Sequence, residues 1–166
     1  DRLVMSELVR AILRDEPIKM RRLAEIFHVD VQSIHTMWVL RPAPGAGEEF
    51  CSKGLELVRD LLAHHCRIVV ADCYEGDLVA FMEWPAAGVA AEDLAELCYS
   101  RMDRAGLHAH LTLCQSLATT ADVRRAYLTI RGFQEDAARI WPGRRWYTIQ
   151  ELEFARSCRA IVEQGE

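Results

Sequence analysis

The chain has 166 residues and a formal net charge of −5 at pH 7, with 51% hydrophobic and 27% charged residues. This composition is typical of a globular domain that is long enough to build a substantial core, and it excludes a disordered chain. No apolar run approaches the roughly 20 residues that a membrane helix needs, so we expect no membrane partner. The acidic balance argues against the chain alone holding a nucleic-acid backbone, although it allows a local basic patch.

The cysteines are widely spaced and form no Cys-x-x-Cys pair; they are Cys51, Cys66, Cys73, Cys98, Cys114 and Cys158. In a chain of this length without a signal peptide, that spacing predicts reduced, mostly buried thiols. We therefore expect a cytoplasmic protein, and no motif in the sequence calls for a cofactor.

The first part of the chain predicts two short helices, a strand and a third helix. An apolar stripe at helical spacing covers residues 3–14, and Pro17 suits the first turn of a second helix over 17–27. Residues 33–40 are rich in β-forming side chains and lead into Arg41-Pro42, which favours a strand. After a loop over 42–47 that is rich in Pro and Gly, residues 48–65 predict a helix.

The middle of the chain predicts a hairpin, a helix and a further strand. Two apolar runs, 66–74 and 78–84, are joined by Glu75-Gly76-Asp77, which is a hairpin signal. Because both runs are apolar at nearly every position, we expect them to lie centrally in a sheet that helices cover. A helix over 90–104, ended by Gly106, and an alternating strand over 107–114 follow.

The last third predicts a long helix, a short strand and a closing helix. Thr119 and Asp122 predict the capped start of the long helix, which the Pro142-Gly143 turn ends. A strand over 144–149 follows, and Thr148 with Glu151 predicts a second capping box. The apolar stripe of the closing helix predicts that it buries Leu152, Ala155, Cys158 and Ile161 or Val162.

These elements predict one domain over residues 1–166, with a helical arm over 1–30 and an α+β core over 31–166. After the arm, the order is β-α-β-β-α-β-α-β-α. That order favours a ferredoxin-like fold, in which helices cover mainly one face of a mixed or antiparallel sheet.

Two histidines are the metal candidates of the sequence. His108 and His110 lie on one face of the alternating strand, with Cys114 further along that face. Imidazole and thiolate groups could ligate Zn²⁺, but no companion pair occurs elsewhere in the sequence. An outward polar strand face explains the same pattern, so the metal interpretation stands beside this simpler one.

Residues 21–35 have the spacing of a helix-turn-helix, a motif that reads DNA with its second helix. The supposed second helix, over 31–40, contains neither Arg nor Lys and runs into Trp38-Val39-Leu40, which suits a strand better. DNA binding through residues 21–38 is therefore kept only as an alternative.

The strand and hairpin order resembles the GGDEF-like central domain of the PucR/CdaR family of bacterial transcriptional regulators. The residues that carry the resemblance are Asp122, Arg125, Ala126, Tyr127 and Trp146. At the hairpin where active diguanylate cyclases carry Gly-Gly-Asp-Glu-Phe, this chain has Glu75, Gly76, Asp77 and Leu78. Leu78 cannot coordinate a metal, and the first strand supplies no Asp, so two-metal phosphoryl chemistry lacks its ligands.

The resemblance implies a non-catalytic regulatory domain that transmits a signal and forms a homodimer. In that family, a sensory domain lies upstream of this one and the DNA-binding helix-turn-helix lies downstream, so DNA contact would come from outside this chain. Two alternatives stay open: a module that binds a small-molecule effector directly, and a degenerate enzyme related to nucleotide cyclases.

Overall fold

The computed structural model describes residues 2–67, 69–83 and 90–165, with side chains from residue 5 onward. In these ranges the chain forms α1 (Arg2–Leu13), α2 (Pro17–Phe27), α3 (Glu49–Ala63), α4 (Ala91–Arg104), α5 (Thr120–Ile140) and α6 (Ile149–Gly165). The strands are β1 (Thr36–Pro42), β2 (Val69–Tyr74), β3 (Asp77–Met82), β4 (Ala109–Cys114) and β5 (Trp146–Thr148). Residues 68 and 84, which the sequence assigns to strands, lie outside the described residues.

The strands form one mixed sheet in the order β2-β3-β1-β4-β5. All neighbouring pairs are antiparallel except β4 and β5, which are parallel. The run from β1 to β4 is the β-α-β-β-α-β unit of a ferredoxin-like fold. The predicted α+β class and ferredoxin-like topology are confirmed.

Helices cover both faces of the sheet, so the expectation of helices mainly on one face was wrong. α3 and α4 pack against one face, where Trp38 and Leu40 of β1 point. α1, α5 and α6 pack against the other face, where Met37 and Val39 point. The reason is visible in β1 itself: residues on both sides of this strand are apolar, which is typical of a doubly covered strand.

The first helix of the arm is part of the second core. Leu8 and Leu13 are fully buried and belong to the same cluster as Tyr74 and Tyr127. α2 contributes less, because Ala24 is its only buried residue. The arm is therefore anchored mainly through α1.

The segment after α2 does not form the second helix of a helix-turn-helix. Residues Val31–Ser33 make a short 3-10 turn, capped by the Asp30 side chain, which accepts a hydrogen bond from the Gln32 amide at 3.2 Å. The chain then enters β1, where Trp38 is fully buried in the centre of the sheet. The DNA-reading alternative for residues 21–38 therefore lacks its recognition helix.

Both predicted capping boxes are present. The Asp122 amide donates to Thr119 Oγ1 at 3.1 Å, and Asp122 Oδ2 accepts from the Thr119 amide at 3.2 Å. At the start of α6, the Thr148 amide donates to Glu151 Oε1 at 2.9 Å. These local contacts satisfy amides that would otherwise lack a partner in the first turn of each helix.

The end of α6 differs from the prediction. Leu152 and Ala155 are buried, but Ile161 is 69% exposed and Val162 is 62% exposed. The helix is longer than the sheet face that it covers, so its last turns extend beyond the core and leave their apolar side chains in solvent.

Candidate functional site

The loop between β2 and β3 is the tight hairpin that the sequence predicts. Tyr74 pairs with Asp77 across it, and Glu75 and Gly76 have positive φ angles of 49° and 87°. Positive φ at both central residues matches the twist of the two strands. Leu78 is buried in the core below α3 and α4, so it offers no polar atom at this turn.

Asp77 points into the contact between the sheet and α5. Its side chain is only 3% exposed. Tyr127 Oη donates to Asp77 Oδ2 at 2.9 Å, and Arg41 Nε donates to Asp77 Oδ1 at 3.2 Å. Arg131 Nη1 lies 3.7 Å from Asp77 Oδ2 and 3.4 Å from Glu75 Oε2. The hairpin carboxylates are therefore engaged with residues of β1 and α5.

Burial and charge act in opposite directions on Asp77. Burial raises the pKa of its carboxyl, while the Tyr127 hydroxyl and the guanidinium groups of Arg41 and Arg131 lower that pKa; burial is the larger effect. Burial also raises the pKa of Tyr127, so its hydroxyl stays protonated and donates to Asp77.

The same cluster reaches the helical arm. Arg14, which follows α1, donates from Nε to Tyr74 Oη at 3.3 Å. The rings of Tyr74 and Tyr127 meet edge to face with centroids 5.5 Å apart. Thr120, the first residue of α5, donates from its hydroxyl to Asp15 Oδ1 at 2.6 Å. The arm, the hairpin and α5 are thus joined by one set of polar and aromatic contacts.

A cleft with a volume of about 340 Å³, lined by both polar and apolar side chains, lies beside this cluster. It is bounded by the end of β1 and its following loop, by the first residues of β4 and by the C-terminal half of α5. Its volume falls at the lower end of the range for small-molecule sites. Arg41 lines the cleft and also holds Asp77, so it belongs to both features.

The floor of the cleft is fixed by Gln134 of α5. Its amide nitrogen donates to Thr112 Oγ1 at 3.0 Å and to the His110 carbonyl at 3.4 Å. Burial lowers the pKa of the His110 imidazole, which favours the neutral form of the ring. Arg139 lies at the rim, 72% exposed, with Asp136 Oδ1 at 3.7 Å.

A second groove, of about 220 Å³ and mostly apolar, separates the helical arm from the start of α5. Met20 of α2, Ile34 before β1 and Val123 of α5 line it. It contains fewer polar groups than the cleft at Arg41.

The two metal candidates lie in different surroundings. His108 precedes β4 and is 64% exposed, with its Nδ1 3.3 Å from Asp103 Oδ1. His110 is half-buried against the Tyr147 ring, with centroids 6.0 Å apart. Among residues 2–67, 69–83 and 90–165, no three His, Cys, Asp or Glu side chains are grouped closely enough to hold a metal ion.

The outward polar face offered as the alternative for this strand is wrong for Thr112 and Cys114. Thr112 and Cys114 are fully buried below α5 and α6, because those helices cover the face. Cys66 and Cys98 are buried too, and burial raises the pKa of Cys66 to about 11 and that of Cys98 to about 12. Cys51, Cys73 and Cys158 are only half-buried.

The residues that carry the family resemblance each have a structural task. Asp122 caps α5, and Arg125 pairs with it on the surface at 3.2 Å. Ala126 and Tyr127 pack against the sheet, and Trp146 Nε1 donates to Glu96 Oε1 at 2.9 Å. Helix capping and packing account for these side chains.

Sequence reasoning missed Arg41 and Gln134 as site residues. Gln134 had a usable signal, because it is a polar residue on the apolar stripe of α5 between Ile130 and Ala137. A buried amide in such a position needs hydrogen-bond partners. Arg41 had a weaker signal, since it follows directly on five buried residues of β1.

No model of a known protein family matches the chain, and no curated protein sequence matches it either. None of the helices in the described part of the chain has the length and apolar character required to cross a bilayer.

Proposed function

We propose that this chain is a non-catalytic, signal-transmitting regulatory domain of a cytoplasmic bacterial transcriptional regulator of the PucR/CdaR type. It works as a homodimer, and DNA contact is made by a domain outside this chain. The observation that carries the proposal is the placement of Asp77. A hairpin that serves a nucleotide-processing site directs its acid at metal ions, whereas Asp77 is enclosed by Tyr127, Arg41 and Arg131.

The contacts of Asp77 also give a physical route for a signal. They tie the hairpin to α5, and Arg14 with Tyr74 ties the arm to the same point. A displacement of α1 would therefore change the contacts of the hairpin and those of α5 at the same time. Transmission requires two states that differ in these contacts.

The first test is a promoter reporter in cells that express the full-length protein. Tyr127→Phe removes the hydroxyl that donates to Asp77 and keeps the ring, so we expect an altered response to the inducing signal at an unchanged protein level. Asp60→Ala is the control, because the Asp60 side chain is 70% exposed and its ion-pair partner in the described part of the chain is His64. Equal responses of the two variants and the wild type would contradict transmission through this cluster.

The encoding gene supplies a second test. A helix-turn-helix segment in the same reading frame downstream of residue 166 supports the proposal. A frame that carries no DNA-binding segment on either side of these residues contradicts it.

An enzyme assay separates the proposal from the cyclase alternative. The purified chain is incubated with GTP and Mg²⁺ or Mn²⁺, and the products are separated by chromatography. We expect no turnover above that of a Tyr127→Phe, Asp77→Ala double variant. Metal-dependent turnover that the double substitution abolishes would overturn the non-catalytic assignment.

The exposed apolar side of α6 is the surface that fits the proposed homodimer. Phe154, Ile161 and Val162 recur at helical spacing and are 54%, 69% and 62% exposed. Light scattering of the purified chain should report a dimer that Ile161→Glu converts to a monomer. Ala160→Glu adds the same charge on another side of the same helix and serves as the control. A monomeric wild type would exclude dimerisation through this chain alone.

A second candidate function, a sensor that binds a small-molecule effector directly, is favoured by the cleft at Arg41. The cleft is large enough for a metabolite and combines polar and apolar walls.

A further inference from the structure

We propose that the cleft between the end of β1 and α5 binds a small organic carboxylate, which Arg41 and Arg139 hold. This inference deepens the sensor function proposed above and rests on it. The cleft lies on the face of the sheet that α5 covers. Leu78 of the hairpin points to the opposite face, which α3 and α4 cover.

The donor set of the cleft favours an anion. Arg41 uses Nε for Asp77 and Nη1 for the Arg131 carbonyl, at 3.2 and 3.3 Å. Its Nη2 makes no hydrogen bond to any residue in the described part of the chain. A guanidinium has five N–H donors, so Arg41 keeps donors for a ligand in the cleft that it lines. Arg139 adds a second guanidinium at the rim.

The rest of the lining limits the charge and size of the ligand. Pro42, Pro44 and Ala138 give the cleft apolar walls, which suit a ligand with a hydrocarbon body. The cleft borders the last two turns of α5, which ends at Ile140, and the C-terminal end of a helix carries a partial negative charge. A carboxylate with one delocalised charge is favoured there over a phosphate dianion.

Glu135 also borders the cleft, but its side chain is 89% exposed and lies near Arg139, with Oε2 to Nη2 at 3.9 Å. Water screens this carboxylate strongly, so it does not cancel the attraction of Arg41 deeper in the cleft.

Arg41 couples the cleft to the hairpin. The guanidinium that would bind the ligand is the one that donates to Asp77, and Asp77 is held in turn by Tyr127 of α5. A carboxylate bound to the remaining donors of Arg41 therefore shares the guanidinium with Asp77 and changes the contact between hairpin and helix. This is the differential contact that a regulatory response needs.

The test is an NMR titration of the isotope-labelled chain at constant ionic strength, with benzoate, butyrate and inorganic phosphate as separate probes. We expect benzoate or butyrate to cause saturable shifts at the amides of Ala43, His110 and Ala138. A further saturable shift is expected at Gly76 of the hairpin, because it lies beside Asp77. Phosphate should cause none of these.

Substitutions of Arg41 and Arg139 test whether these two side chains donate hydrogen bonds to the carboxylate. Arg139→Ala should weaken the affinity several-fold, and Arg41→Lys about tenfold or more, since each removes a charge-assisted hydrogen bond. Arg41→Lys should also abolish the shift at Gly76. Arg156→Ala is the matched control, because Arg156 is an exposed arginine of α6 that does not line the cleft, and this variant should bind like the wild type.

Three results would overturn the proposal. These are no saturable shift at the cleft with either carboxylate, equal shifts with phosphate, and an Arg139→Ala variant that binds as the Arg156→Ala control does. Because binding is measured on the chain itself, its failure is distinguishable from the failure of the reporter and gene tests. A chain that binds the carboxylate but regulates no promoter would support the carboxylate site and contradict the proposed regulatory function.

Discussion

The two faces of the sheet are built from different chemistry. The face below α3 and α4 is an apolar core in which Trp38, Leu61 and Met82 are fully buried. The face below α1, α5 and α6 also has an apolar core, but it buries Asp77, Thr112 and Gln134 as well. The cleft and the hairpin cluster both lie on this second face.

This difference separates stability from function. An apolar interior stabilises the fold without directional requirements. Buried polar groups cost free energy unless each finds a partner, so they are retained where their directionality serves a purpose. The candidate site is therefore expected on the second face, and the first face is expected to act as its rigid support.

The largest effect should come from the apolar face. Leu61→Ala removes a fully buried side chain of α3, and we expect a loss of about 3 to 4 kcal/mol in the free energy of unfolding. Leu128→Ala in α5 is the matched control, because Leu128 is 50% exposed and should lose less than about 1 kcal/mol. Urea denaturation followed by circular dichroism measures both. Similar losses at the two sites would break the proposed contrast.

The hairpin cluster should show a smaller loss with a different origin. Asp77→Ala leaves the Tyr127 hydroxyl without its acceptor, and we expect a loss of about 2 to 3 kcal/mol. The loss is limited because the Arg41 and Arg131 side chains are 28% and 38% exposed and can reach water. Tyr127→Phe should lose about 1 kcal/mol. A neutral Asp77→Ala variant would show that the cluster contributes nothing to stability.

Two helical glycines differ in what surrounds them, since Gly54 of α3 is buried and Gly132 of α5 is exposed. A Cβ atom at Gly54 of α3 would lie 2.7 Å from Leu78 Cδ1, and Leu78 is itself buried. We expect Gly54→Ala to lose about 1 kcal/mol through this overlap. A Cβ at Gly132 of α5 would meet nothing within 4 Å, so Gly132→Ala should gain up to about 1 kcal/mol of helix stability. We expect the melting temperatures of the two variants to shift in opposite directions, and thermal unfolding measures both shifts.

The smallest effect concerns pH. Because burial raises the pKa of Asp77 above its ordinary value of 3.8, the folded chain holds this proton more tightly than the unfolded chain does. The resulting stabilisation is complete below the ordinary value and is lost as the pH rises through the folded value. Asp77→Asn cannot titrate, so the wild type should lose stability relative to this variant as the pH rises from about 4 through the folded value.

Urea denaturation at a series of pH values measures this difference. Parallel curves would mean that the pKa of Asp77 is unchanged. A wild type that gains stability relative to the variant would mean that the guanidinium groups of Arg41 and Arg131 outweigh burial.

The helical arm shows where tertiary context changed a reading of the sequence. The spacing over residues 21–35 is compatible with a helix-turn-helix, and only the placement of Trp38 in the centre of the sheet removes that interpretation. The same holds for the alternating strand, since Thr112 looks like a solvent-facing residue until α5 is seen above it.

The sequence by itself determined the elements of this protein, because their causes are local. Apolar periodicity predicted the helices and β4, and runs of apolar or β-forming residues predicted β1, β2 and β3. Thr119 with Asp122 fixed the start of α5 through contacts three residues apart. The hairpin turn was equally local, since Gly76 adopts a positive φ angle without steric cost.

The tertiary structure alone decided what the polar residues do. Asp77 meets Arg41 across 36 positions of the chain and Tyr127 across 50. Such pairings depend on which helix covers which face, and periodicity within one element carries no information on that. For the same reason, the sequence could not show that Gln134 lies over Thr112, or that α6 extends beyond the sheet and leaves Ile161 in solvent.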